Sequence, residues 1–172
     1  AYAGRHAVLT RAVAAAAARD ADPALTGLVR DAAGYLLTAC MDSSGKVRHL
    51  CQQGGVSGLL ADQALVSLAL LDAGRLLEDG SLQRGGGQAA GYIRERLGRD
   101  SAGRPVWPAD PAAGQLPGAE PCPYMDWALP AGGVLAAEAL DRVGAQEQAR
   151  DLLGLARIRG PASRRHSTLA RS

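Results

Sequence analysis

GGVSGLLADQALVSLALLDAGRLLEDG, the stretch from Gly54 to Gly80, decides the fold of this chain. A glycine-punctuated turn opens it, and the helix that follows is apolar on nearly every face. Leu59, Leu60, Ala61, Ala64, Leu65, Val66, Leu68, Ala69, Leu70 and Leu71 leave little room for a solvated side. A helix apolar all round belongs in the interior of a protein. This one is too short, and too interrupted by Asp62, Gln63 and Asp72, to span a membrane. Asp62 and Gln63 fall in its first turn, where unpaired backbone N–H groups and the helix dipole favour an anion. A buried helix with polar groups at its entrance is how a helical barrel builds a pocket.

Working outward, the flanking sequence reads as paired helices. A first helix runs from about Arg5 to Arg19, its alanine run having the highest helix propensity available. Asp20-Ala21-Asp22-Pro23 stops it; Asp22 caps the next helix and Pro23 takes the favoured first-turn position. That second helix continues to about Ala39 on a 3.6-residue stripe of Leu25, Leu28, Val29, Ala32, Ala33, Leu36 and Leu37. Asp42-Ser43-Ser44-Gly45 is a turn, and Lys46 to Leu50 reads as a short extended piece. After the buried third helix and a break at Glu78-Asp79-Gly80, a fourth runs from about Ser81 to Leu97, weakened by Gly85-Gly86-Gly87.

The segment from Gly98 to Pro123 is rich in proline and glycine, and no regular structure is expected there, with Trp107 as its anchor. Two further helices follow, from about Met125 to Val143 and from about Ala145 to Ile158. The basic end, residues 160–172, has no apolar period and is expected to be disordered, leaving residues 1–159 as one helical domain. The expectation is an all-α fold of antiparallel helical hairpins, in which stacking buries the face that no single hairpin can cover alone.

Composition limits the partners. Alanine and leucine dominate the 172 residues, phenylalanine is absent and β-branched residues are sparse, which favours helix. A net charge of +2 gives no reason to expect nucleic acid or a membrane surface as partner. Neither a signal peptide nor a transmembrane run is visible, and the first residues already look helical, so the chain reads as beginning inside a larger product. Cys40, Cys51 and Cys122 form no CxxC pair, and an odd count without metal-ligand spacing reads as reduced thiols in a cytoplasm. No two of His6, His49 and His166 have metal-ligand spacing, and no cofactor fingerprint occurs.

Two places carry candidate chemistry. Asp62, with Gln63 as its hydrogen-bonding neighbour, is a candidate catalytic carboxylate, or else a residue that stabilises its helix's first turn. Tyr124-Met125-Asp126-Trp127 sets an aromatic beside a carboxylate, a common sugar-binding pair; there Asp126 is the candidate second catalytic acid, with Tyr124 and Trp127 as binding residues. The bland alternative makes Asp126 an N-cap and Trp127 core. His49 reads either as a group at the pocket mouth or as a solvated turn residue, and Cys51 as a small packing residue.

The segment from Gly58 to Ala73, and above all Leu60, Asp62, Gln63 and Ala64 after the strand-like Val47 to Leu50, resembles an inner helix of a known family. That family is the helical C-terminal region of thioredoxin-domain-fused proteins, related to the spermatogenesis-associated thioredoxin-like family. It is similar to the six-hairpin (α/α) toroid of glycosidases and N-acylglucosamine 2-epimerases. Glu120-Pro121 before a helix such as Ala128 to Leu140 resembles the family's last hairpins. The family's thioredoxin-like domain and its tryptophan–asparagine–glycine segment have no counterpart here. The resemblance implies half of an (α/α)6 toroid and a carbohydrate-related pocket protein of uncertain or lost activity, with a sugar or other small polar molecule as ligand. It also implies a homo-oligomer or a missing N-terminal half. The alternative is a non-catalytic helical interaction module.

Overall fold

The computed structural model describes residues 1–51, 55–99, 101, 105–107 and 132–158. Over these residues the protein is all-α. Helix α1 (Ala3–Asp20) is followed by α2 (Pro23–Tyr35), α3 (Leu60–Leu76), α4 (Gly80–Arg96), α5 (Gly132–Arg142) and α6 (Gln146–Ile158). Asp22 caps α2 as its sequence requires, its carboxylate accepting from the Ala24 N–H at 2.8 Å. The last part of that helix, Leu36–Cys40, departs from the expected α geometry and forms a π-helical turn.

Side-chain contacts give the helix directions. Gly74, Ser67 and Gln63 on α3 meet Gln83, Gly86 and Ala89 on α4, so this pair is antiparallel. α1 and α2 form another hairpin, closed by Ala21-Asp22, with His6 lying against Ala32 and Tyr35. α6 packs on α5 across the short turn Val143-Gly144-Ala145. Between hairpins the relation is different. Gly4 on α1 meets Asp62 on α3 while Arg11 reaches Asp72, and Gly132 on α5 meets Ala61 while Arg142 reaches Asp72. The helices α1, α3 and α5 therefore lie side by side and parallel, with α3 in the middle.

That central position explains the composition of α3. Every residue from Asp62 to Leu70 is buried, with Leu68 and Leu70 fully so. Neighbours on three sides take up its apolar faces, and only Ala61 and Arg75 are exposed. The two polar residues in the middle of this run have partners: Ser67 Oγ donates to the Gly86 carbonyl at 2.8 Å, and Gln63 is treated below.

Gly85-Gly86-Gly87, expected to weaken α4, do not interrupt it. The helix runs through them, and Gly85 and Gly86 are buried where α4 presses on α3. A Cβ on Gly86 would stand 2.9 Å from the Ser67 carbonyl oxygen and 2.7 Å from Leu71 Cγ, so the missing side chain is what lets the backbones approach.

The irregular segment from Gly98 onward needs correction. Its described residues include two short strands, β1 (Gly98–Arg99) and β2 (Pro105–Val106), paired antiparallel. Trp107 then donates its Nε1–H to the Gly58 carbonyl at 3.0 Å and packs near Tyr92. Lys46 to Leu50, expected to be extended, makes only isolated antiparallel bridges, Met41 with Val47, Arg48 with Ser57 and Tyr2 with Leu50. Most of the segment up to Pro123, the start of the fifth helix and the basic tail lie outside the described residues.

The reduced-thiol reading is overturned for two of the three cysteines. Cys40, at the end of the π-helical turn, and Cys51 are joined in a disulfide and buried. Spacing could not show this, because an 11-residue separation forms no motif and only the turn between them brings the sulfurs together. With that bond the argument for a reducing compartment falls away. Among the described residues no helix is long and apolar enough to cross a membrane.

Candidate functional site

The site forms where a tight turn delivers one residue onto the first turn of α3. After Cys40 the Asp42 carboxylate accepts from the Ser44 N–H at 2.9 Å, the Ser44 hydroxyl at 2.7 Å and the Lys46 N–H at 3.1 Å, which folds the turn. Gly45 completes it in the left-handed region, φ +83°, with its α-carbon against the Gln88 carbonyl. The chain then runs back across the ends of α1 and α3. Val47 N–H donates to Gln63 Oε1, His49 N–H to the Val56 carbonyl and Ala3 N–H to the His49 carbonyl, each at 2.9 Å. Cys51 N–H donates to the Ala1 carbonyl at 3.0 Å. The backbone of His49 is thus fixed from two sides, and the Cys40–Cys51 bond closes the base of the segment.

His49 and Asp62, expected separately as pocket-mouth residue and carboxylate, are brought together. Nδ1 of the imidazole lies 2.6 Å from Oδ2 of Asp62. Asp62 is buried, while the His49 side chain keeps 23 % of its surface. The other carboxylate oxygen sits against Gly4: a Cβ there would be 2.4 Å from Oδ1, so α1 must begin with a residue that has none. The hydrogen bond donated to Asp62 holds the imidazole pKa above its ordinary value; partial burial and the charge of Arg5 oppose this, and the negative charge of Asp62 adds to it. The result is an oriented imidazole that holds its proton more tightly than a free one. Its Nε2 has no hydrogen-bond partner among the described residues.

Gln63 does something other than the expected ligand contact. It is fully buried, and its amide is used up by the backbone: Oε1 accepts from Val47, and Nε2 donates to the Gly45 and Ala89 carbonyls. It ties the 45–47 turn to α3 and α4 and, fully buried, presents no polar atom at the surface for a ligand.

Two residues that the sequence did not single out complete the surroundings. Tyr2 stands edge-on to the His49 ring with centroids 5.1 Å apart, and the Arg5 guanidinium lies 5.2 Å from the centre of the Tyr2 ring. No local signal marks them, since their role depends on α1 beginning beside α3. Asp126, Tyr124 and Trp127 lie outside the described residues. A separate shallow cleft of about 170 Å³ lies between the end of α4 and α6, edged by Arg94, Glu147 and an Arg99–Asp151 ion pair.

Compared with protein-family models, with curated proteins and with solved structures, the chain matches none of them. Function must therefore be argued from the site alone. An imidazole fixed by a buried carboxylate can donate hydrogen bonds, and it can pass a proton at Nε2 to or from a bound molecule. Among the described residues no group of three or more His, Cys, Asp or Glu side chains is placed to hold a metal ion.

Proposed function

We propose that the chain is a carbohydrate-binding helical domain, built as three hairpins of an (α/α)-toroid type, with its ligand site at the end where α1 and α3 begin. The observation that carries this is the His49–Asp62 couple, a hydrogen-bonded and oriented pair beside the first turns of two parallel helices. The parallel order of α1, α3 and α5, each with its own return helix, supports the toroid part of the reading. Asp62 then acts through His49: it holds the imidazole, and the imidazole meets the ligand.

The test is a titration of the chain with neutral and acidic mono- and disaccharides, followed through the His49 imidazole resonances. A saturable shift that disappears in Asp62→Asn, with the helical circular dichroism unchanged, supports the reading. Unmoved resonances across the panel would exclude a sugar site at this couple.

A second reading, a module that associates with itself or a partner, is favoured by one observation. Leu9, on the outer face of α1, is 62 % exposed, and exposed Ala12 and Ala15 continue the same face. Sedimentation across micromolar to submillimolar concentration tests it: a mass that rises with concentration, and reverts to monomer in Leu9→Glu, is the expected result. A monomer throughout removes self-association.

A further inference from the structure

Four side chains at the start of α1 form a row: the Arg5 guanidinium, the Tyr2 ring, the His49 imidazole and the Asp62 carboxylate. Their charges do not balance. A protonated His49 neutralises Asp62, which is buried beneath it, and Arg5 is then left over. Arg5 is exposed and makes no ion pair with a carboxylate among the described residues. Stacked on a ring, a guanidinium keeps its in-plane N–H donors free for another partner. Tyr2, 47 % exposed between the two cations, offers an aromatic face. The beginnings of α1 and α3 add partial positive charge at the same end of the molecule.

We propose that Arg5, Tyr2 and His49 form a binding site for an anionic carbohydrate, a sugar carrying a carboxylate or a phosphate group. This rests on the carbohydrate reading above and narrows it to a ligand class. Arg5 and the Nε2–H of His49 take the anionic group, for which a guanidinium fork and an imidazolium are matched donors. The Tyr2 ring takes the C–H face of the sugar. Asp62 is a positioning residue: it occupies Nδ1, so that the second proton of the imidazolium sits on Nε2 and is the donor presented. A neutral sugar lacks the charge that the surplus cation needs, and a bare anion makes no use of the aromatic face between the donors.

The experiment measures binding of glucuronate, glucose 6-phosphate, glucose and inorganic phosphate to the full chain, by calorimetry and by the His49 imidazole shifts. At least one acidic sugar is expected to bind about tenfold more tightly than glucose, the difference between a charge-assisted and a neutral hydrogen bond. Raising the salt should reduce that preference, because Arg5 is exposed. Arg5→Gln should abolish the preference with the helical circular dichroism unchanged, and Arg94→Gln, on α4, should alter neither the preference nor glucose binding. Glucose binding as tightly as both acidic sugars would overturn this inference and leave the carbohydrate reading standing. Inorganic phosphate binding as tightly as the acidic sugars would reduce the site to a general anion site and also overturn it. No binding of any sugar would sink both readings.

Discussion

Nδ1 of His49 lies 2.6 Å from Oδ2 of Asp62, a residue thirteen positions further along the chain on another element. The imidazole is held above its ordinary pKa of about 6.5 chiefly by the hydrogen bond it donates to Asp62, against partial burial and the nearby Arg5 charge. A raised folded pKa means that the native state binds the proton more tightly than the unfolded chain. The pair's contribution to stability is therefore fully present below about pH 6.5 and is lost as pH rises through the folded His49 pKa. Denaturant unfolding of the wild type and Asp62→Asn across this range should show the gap between them narrowing as pH increases. A gap that widens with pH would reverse the assignment.

The Cys40–Cys51 bond closes the segment that carries His49. Cross-linking a loop of this size restricts the unfolded chain, and the chain-entropy estimate is about 3 kcal/mol. Reduction, or the double substitution Cys40→Ser with Cys51→Ser, should lower the unfolding free energy by roughly this amount. Thiol titration in denaturant should find one reactive thiol per chain before reduction and three after it, since the chain has three cysteines.

Gly86 and Gly87 are adjacent in α4 and should respond in opposite directions. At Gly86 a methyl group would press on the Ser67 carbonyl and Leu71, and Gly86→Ala should cost about 1–3 kcal/mol. Nothing lies within 4 Å of a Cβ at Gly87, so Gly87→Ala should stabilise the helix by about 0.5–1 kcal/mol. Equal shifts in thermal midpoint from the two variants would contradict the packing described for α3 and α4.

Leu68 is fully buried at the centre of α3. Truncating it leaves a cavity between helices that are held on several sides, and Leu68→Ala should cost about 2–5 kcal/mol in denaturant unfolding. A loss under about 1 kcal/mol would mean that the neighbouring helices close the gap, which the fixed α3–α4 contacts resist.

Asp72 joins the parallel layer at its other end. Its carboxylate meets Arg11 from α1 at 2.8 Å and Arg142 from α5, while Glu138 also bonds to both arginines. Each pair is partly exposed and weak alone, but Asp72→Ala removes the α3 partner of both arginines and leaves two cations near each other. Thermal unfolding should show a larger loss for Asp72→Ala than for Glu138→Ala, with the difference reduced at high salt.

Several features could be read from the chain alone. The Asp22-Pro23 start of α2 and the stop at Glu78 to Gly80 depend on neighbours a few positions away, so their residues predict them. The burial of α3 was legible because Leu59 to Leu71 leaves no polar face, and such a helix has only one stable environment. Asp62 drew notice through its place in a first turn, and that placement is local too.

Tertiary structure decided the rest, because each remaining feature depends on which distant groups meet. Gln63 looked like a pocket residue until the 45–47 turn and Ala89 took its amide. Gly85 and Gly86 read as helix weakness, since propensity counts the entropy that glycine costs and cannot count the close approach it allows. Cys40 and Cys51 read as thiols because spacing carries no information about where a π-helical turn ends. His49, Tyr2 and Arg5 acquire a shared role only through the parallel packing of α1 on α3, a contact between elements about sixty residues apart for which no periodicity codes.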